Sequence, residues 1–165
     1  MLLTLFLAVV FCAAMAMMLI SCVAFIQDNK FFDSAPKEAR EVIIQKDHEL
    51  FYGARAIGWT LFIISVLMIL GVGVIAVWDG FRSGFTFWQF FLRFVLIFTI
   101  YKICDMSLID GFLLLKSHFF QHYYPEAEHV MEGRKYGFNI KSQLLKLFVI
   151  FPAISALAAW ICTLF

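Results

Sequence analysis

The sequence predicts an all-α protein: a polytopic transmembrane helical bundle of about four helices, formed as a single transmembrane domain over residues 1–165. Three observations lead there. Residues 1–27 are uncharged, and 56–78 and 147–165 are further long apolar runs. With a 1.5 Å rise per residue, about 20 residues cross roughly 30 Å of hydrocarbon, so each run suffices as a helix. Hydrophobic residues make up 63% of the chain and charged residues only 15%, a balance suited to lipid rather than water as solvent. An outer-membrane barrel is excluded, because its strands read as alternating segments of about ten residues.

The first helix is placed at 2–26. Leu19-Ile20-Ser21-Cys22 and Ala14-Met15-Ala16 have the look of processing sites, but no Lys or Arg precedes Lys30 and the apolar run continues past Cys22. A signal peptide needs a basic region ahead of a shorter core, so the run reads as an uncleaved helix. The polar stretch 28–55 follows, with Asp33, Ser34 and Pro36 as a helix start and Gly53 as its stop. Ala39, Val42, Ile43 and Leu50 share a face there, which predicts a surface amphipathic helix.

The second helix, 56–78, and the third, 85–115, are joined only by Asp79-Gly80-Phe81-Arg82-Ser83-Gly84, which predicts a hairpin of neighbouring antiparallel helices. As one helix, 85–115 would reach roughly 46 Å and must tilt, bend or leave the membrane. In the second polar stretch, 116–146, Pro125, Glu126 and Glu128 suit the first turn of a short helix and Gly133 its end. The fourth helix is 147–165, with Pro152 as a kink point. Small residues (Ala8, Cys12 and Ala16 on the first helix; Ala153, Ser155, Ala156, Ala158 and Ala159 on the fourth) predict that these two pack together, and Gly71 and Gly73 allow a close crossing of the second.

Lys and Arg set the orientation. The two long stretches carry ten of them, Lys30, Lys37, Arg40, Lys46, Arg55, Lys116, Arg134, Lys135, Lys141 and Lys146, against Arg82 alone in the short turn. Basic residues stay in the cytoplasm, so the chain is expected as a multi-pass protein of the cell (cytoplasmic) membrane with both termini outside and both long loops inside. A net charge of +1 without a clustered basic surface argues against nucleic acid as a partner. Cys12, Cys22, Cys104 and Cys162 follow no CxxC or disulfide-framework spacing and read as free thiols.

Chemistry concentrates around the third helix, where Arg93, Lys102, Asp105 and Asp110 interrupt an apolar run. Charges within hydrocarbon are costly and are functional candidates by default. At 100° per residue, Asp105 falls about 60° to one side of Lys102 and Asp110 about 80° to the other, with Arg93 roughly opposite. Asp105, Asp110 and Lys102 are the catalytic candidates. Arg93 and Lys102 are the candidates for a lipid headgroup or a partner, with Arg93 about 12 Å from the outer boundary and Gln89 a possible side-chain neighbour. Lys102 lies close enough to the inner boundary to snorkel. His118 and His122, four apart, share a face on a continuing helix; with Glu126, Glu128, His129 or Asp110 they are the candidates for a transition metal. No HExxH, GxSxG or Walker-type loop is present.

Asp105 and Asp110 form a D-x4-D pair at the end of the third helix, followed by a polar segment and a final helix. In this the chain resembles small uncharacterised four-helix membrane proteins of bacteria, from about Lys102 onward; the resemblance implies a membrane location and no known activity. The four-helix size also resembles small membrane glutathione-transferase-like proteins, in architecture alone. The expected function is that of an accessory subunit, binding membrane lipids, a protein partner or a second copy of itself through a cytosol-facing polar patch. The alternatives are a lipid-modifying membrane enzyme, metal-dependent through the histidines, and an oligomeric transporter or channel lined by Lys102 and Asp105.

Overall fold

Residues 1–32, 49–107, 118–127 and 140–164 are described by a computed structural model, and every regular element among them is helical. Helix α1 (Leu2–Ile20) runs on through a π-helical stretch, Ser21–Ile26. Helix α2 is Ala54–Arg82, and α3 is Phe87–Cys104, extended by a π-helical turn at 105–107. A short α4 (Phe119–Tyr123) follows, then α5 (Ile140–Leu145), a π-helical stretch (Lys146–Ile150) and α6 (Phe151–Cys162). Four stretches are long and apolar enough to cross a membrane: Leu2–Ile26, Ala54–Arg82, Phe87–Ser107 and Gln143–Cys162. The expected amphipathic helix at 33–48 and the helix end at Gly133 lie outside the described residues.

Two boundaries differ from expectation for local reasons. Helix α2 takes in most of the supposed turn: Asp79, Gly80, Phe81 and Arg82 are helical, and only Ser83 to Phe85 reverse the chain, with Gly84 at φ 63°. Helix α3 then starts on a capping box, in which the Thr86 amide donates to Gln89 Oε1 at 2.8 Å. Such a box satisfies amide donors that the first helical turn leaves without partners. At the start of α6, Pro152 has no amide hydrogen to give the preceding turn, and that turn is π-helical.

Helix α1 is the centre of the packing. It lies against both α2 and α3, and α6 packs on the far side of α3, so the order across the bundle is α2, α1, α3, α6. Despite their tight connection, α2 and α3 touch sparingly; and α1 does not pair with α6, as the small residues had suggested. The small side chains serve the central helix instead: Ala8 is fully buried with Leu7, Val72, Ala76, Phe90, Phe94, Ile97, Ala159 and Cys162 in one apolar cluster. This cluster lies at the end of the bundle where the α2–α3 turn and the chain termini meet.

At the other end, α1 and α2 approach closely at a glycine. Ser21 Oγ donates to the Gly58 carbonyl at 2.5 Å, and a Cβ on Gly58 would lie 2.8 Å from both Phe25 Cβ and Ile26 Cγ1. Gln27, at φ 54°, ends the helix by donating its amide to the Cys22 carbonyl. The chain then turns back so that Phe31 meets Trp59 and Phe62, with ring centroids 5.8 and 5.3 Å apart.

Gly58→Ala is expected to destabilise the fold by about 1–3 kcal/mol, the usual cost of overpacking against backbone. Gly71, which has open space around it, is the control: Gly71→Ala should be neutral or gain up to about 1 kcal/mol of helix propensity. Thermal melting followed by helical circular dichroism in detergent micelles compares the two.

Candidate functional site

Arg93 sits where α2 and α3 come together below their turn. Gly80 makes this possible, because a Cβ there would collide with the Phe90 ring. With the helices this close, Arg93 Nη2 pairs with Asp79 Oδ2 at 2.8 Å and Nη1 donates to the Ala76 carbonyl at 2.9 Å. The Phe85 ring covers the guanidinium, its centroid 4.2 Å from Cζ. The Arg93 residue is 5% exposed, whereas the Asp79 side chain keeps 28%, so the pair is desolvated mainly on the cationic side. Gln89 does not serve Arg93; it is engaged in the α3 cap. Asp79 was missed because a helix end drawn at Trp78 assigned it to the turn. Its place one helical turn beyond Ile75, on the side of Ala76, is what aims it at α3.

Lys102 and Asp105 form the second charged pair, three residues apart on α3, with Nζ 2.5 Å from Oδ2. Lys102 is 3% exposed. Its ammonium does not snorkel outward; it stays within the bundle on Asp105, whose side chain is 16% exposed. Asp105 opens the π-helical turn that ends the span, and Asp110 lies outside the described residues.

Beyond the spans, α4 folds back on the π-helical end of α1, with the 3-10 turn Pro125–Ala127 packed against α4. The Tyr124 side chain between them is fully buried. Burial pushes its phenol above the ordinary value near 10, and the Glu126 and Asp28 carboxylates add to the rise. His118 has a left-handed backbone, φ 52°, and its carbonyl accepts the His122 amide at 2.9 Å. It therefore precedes α4 instead of sharing a helix face with His122, and both histidines are exposed. Glu126 is half-buried on the 3-10 turn; Glu128 and His129 lie outside the described residues. Among the described residues, no group of three or more His, Cys, Asp or Glu side chains is placed to hold a metal ion.

In comparisons with protein-family models, curated proteins and solved structures, nothing matches this chain. What the site can do therefore rests on its own geometry. Arg93 and Lys102 each have an aspartate of the same chain as counter-ion, and both are sealed from solvent. A buried cation held by one carboxylate strongly resists removal of that carboxylate, while removal of both charges can be nearly neutral.

Two outcomes follow. Asp105→Asn, which strands the Lys102 ammonium, should cost about 2–4 kcal/mol, whereas Lys102→Met, which leaves a partly exposed carboxylate, should cost less than about 1 kcal/mol; denaturation in micelles measures both. Tyr124 gives a pH test. Its phenol is raised in the fold, so its contribution to docking is fully present below the ordinary value of about 10 and is lost as pH rises toward the folded value. Tyrosinate absorbance should show Tyr124 ionising after the other tyrosines, together with loss of protease protection over Phe119–Tyr123; ionisation at an ordinary pH with no change in protection contradicts the docking.

Proposed function

We propose that this chain is a multi-pass protein of the cytoplasmic membrane that serves as a non-enzymatic accessory subunit, docking a protein partner at the end of the bundle that carries the two long loops. The internal neutralisation of both buried cations is the observation that carries this reading. With Asp79 on Arg93 and Asp105 on Lys102, the charges inside the apolar layer act as fasteners between and along helices. Groups available to a ligand are then those outside the spans.

Membrane insertion is supported by where the apolar side chains point. Leu67, Leu70 and Val74 on α2, Trp88 and Leu92 on α3, and Phe148, Leu157 and Trp160 around α6 are all exposed. An exterior this apolar over four long helices suits acyl chains and would aggregate in water. The charge bias of the loops supports the cytoplasmic placement of the docking end. Leu50, Phe51 and Tyr52 are exposed just before α2, outside the spans, and are flanked in sequence by Glu49 and Arg55. Aromatic side chains ringed by polar ones are the composition of protein interfaces.

Native mass spectrometry of the protein extracted gently from its own membrane tests this. A metal-free chain with a stoichiometric protein, lost on changing Phe51 and Tyr52 to Ser, is the expected result. A chain that carries only lipid places the docking role on the headgroups instead. A bound transition metal lost with His118→Ala and His122→Ala contradicts the accessory role and favours the enzyme.

A further inference from the structure

We propose that Lys146 binds the phosphate of an anionic phospholipid in the inner leaflet, whose acyl chains lie along the exposed face of α6. Other cations of the apolar stretches are answered within the chain: Arg93 by Asp79, Lys102 by Asp105, and Arg82 by the Trp78 ring, 5.5 Å from centroid to guanidinium. Lys146, near the loop-side end of the stretch Gln143–Cys162, is not. It is exposed, and among the described residues no carboxylate or ring pairs with it.

Ring contacts fix the level of this lysine. Phe151 stacks on Phe98, with centroids 5.2 Å apart, and lies 6.4 Å from Tyr101. One π-helical turn joins Lys146 to Phe151, whose amide donates to the Lys146 carbonyl, and one α-helical turn joins Tyr101 to Asp105. Lys146 therefore leaves the backbone at the level where the stretch Phe87–Ser107 ends. Asp105, at that level, is already engaged by Lys102. On the flank of the bundle, α6 packs chiefly on α3, and Leu145, Phe148 and Val149 beside the lysine are 55, 71 and 56% exposed. Its stem lies against acyl chains and carries the ammonium outward to the headgroups, where phosphate is the group that answers its charge. A headgroup with its own ammonium would bring a second cation to a site without a free carboxylate, so the anionic class fits best. The headgroup role expected of Arg93 and Lys102 thus falls to a cation on the lipid-facing flank. The site rests on the membrane placement proposed above.

The test uses the full chain in nanodiscs of phosphatidylglycerol and phosphatidylcholine, mixed equally and with the same acyl chains. Native mass spectrometry after gentle release counts the lipids that stay bound. The expected result is a retained phosphatidylglycerol favoured about fivefold over phosphatidylcholine, the fold-change that one lysine at an anionic surface supplies. Lys146→Leu and Lys146→Gln should bring that ratio close to one, whereas Lys146→Arg keeps it. Excess inorganic phosphate should leave the lipid in place. Displacement by inorganic phosphate, equal retention of the two lipids, or a preference unchanged in Lys146→Leu and Lys146→Gln overturns the proposal. A chain that does not float with liposomes fails the membrane placement and the lipid site with it; one that floats but ignores the change at Lys146 fails the lipid site alone.

Discussion

A guanidinium cannot sit unpaired among apolar side chains, and the placement of α2, α3 and their turn answers that constraint. Moving an isolated charge into a low-dielectric interior costs several kcal/mol or more, so Arg93 is tenable only where a carboxylate and a carbonyl are delivered to it. The last turn of α2 delivers both, through Asp79 and Ala76. It reaches Arg93 because Gly80 lets Phe90 lie against the α2 backbone, and Phe85 closes the site from the turn. Extension of α2 to Arg82 is thus part of the ion pair: a helix ended at Trp78 would leave Asp79 free to point elsewhere.

The far end of the bundle is built on a different principle. There the Ser21 hydroxyl meets the Gly58 backbone, and the charged pair is local to α3. A hydroxyl bonded to a carbonyl on the neighbouring helix holds α1 and α2 at close range, while Lys102 and Asp105 satisfy each other without a third helix. One end is consequently pinned between elements that are distant in sequence only by a turn, and the other by α1, which the fold places at its centre. The folded-back segment with Tyr124 then packs on the end of α1, a helix without charged residues.

The four long helices were legible from run length and hydropathy alone, because each is an apolar run of about 20 residues or more, the length at which a helix can cross hydrocarbon. The Lys102–Asp105 pair was legible too, since three-residue spacing on a helix brings side chains together whatever surrounds them. What was hidden depended on the third dimension. Asp79 looked like a turn residue next to Gly80, and only the approach of α3 shows why a glycine and an aspartate adjoin at a helix end. The small residues of α1 and α6 marked close packing without naming the neighbour; α3, rich in Phe, lies between the two. The histidine spacing at 118 and 122 implied a shared face, yet His118 adopts the left-handed backbone that precedes a helix.

The central claim is that Arg93 and Asp79 act as one unit that fastens α2 to α3. A double-mutant cycle with Asp79→Asn and Arg93→Met, read by denaturation in micelles, measures it most directly. If the pair is the fastener, Asp79→Asn alone costs about 2–4 kcal/mol, and adding Arg93→Met recovers a clear part of that loss, giving a coupling of more than about 1 kcal/mol. Costs that simply add, to within about 0.5 kcal/mol, would show that the two residues stabilise the bundle independently and would contradict the account.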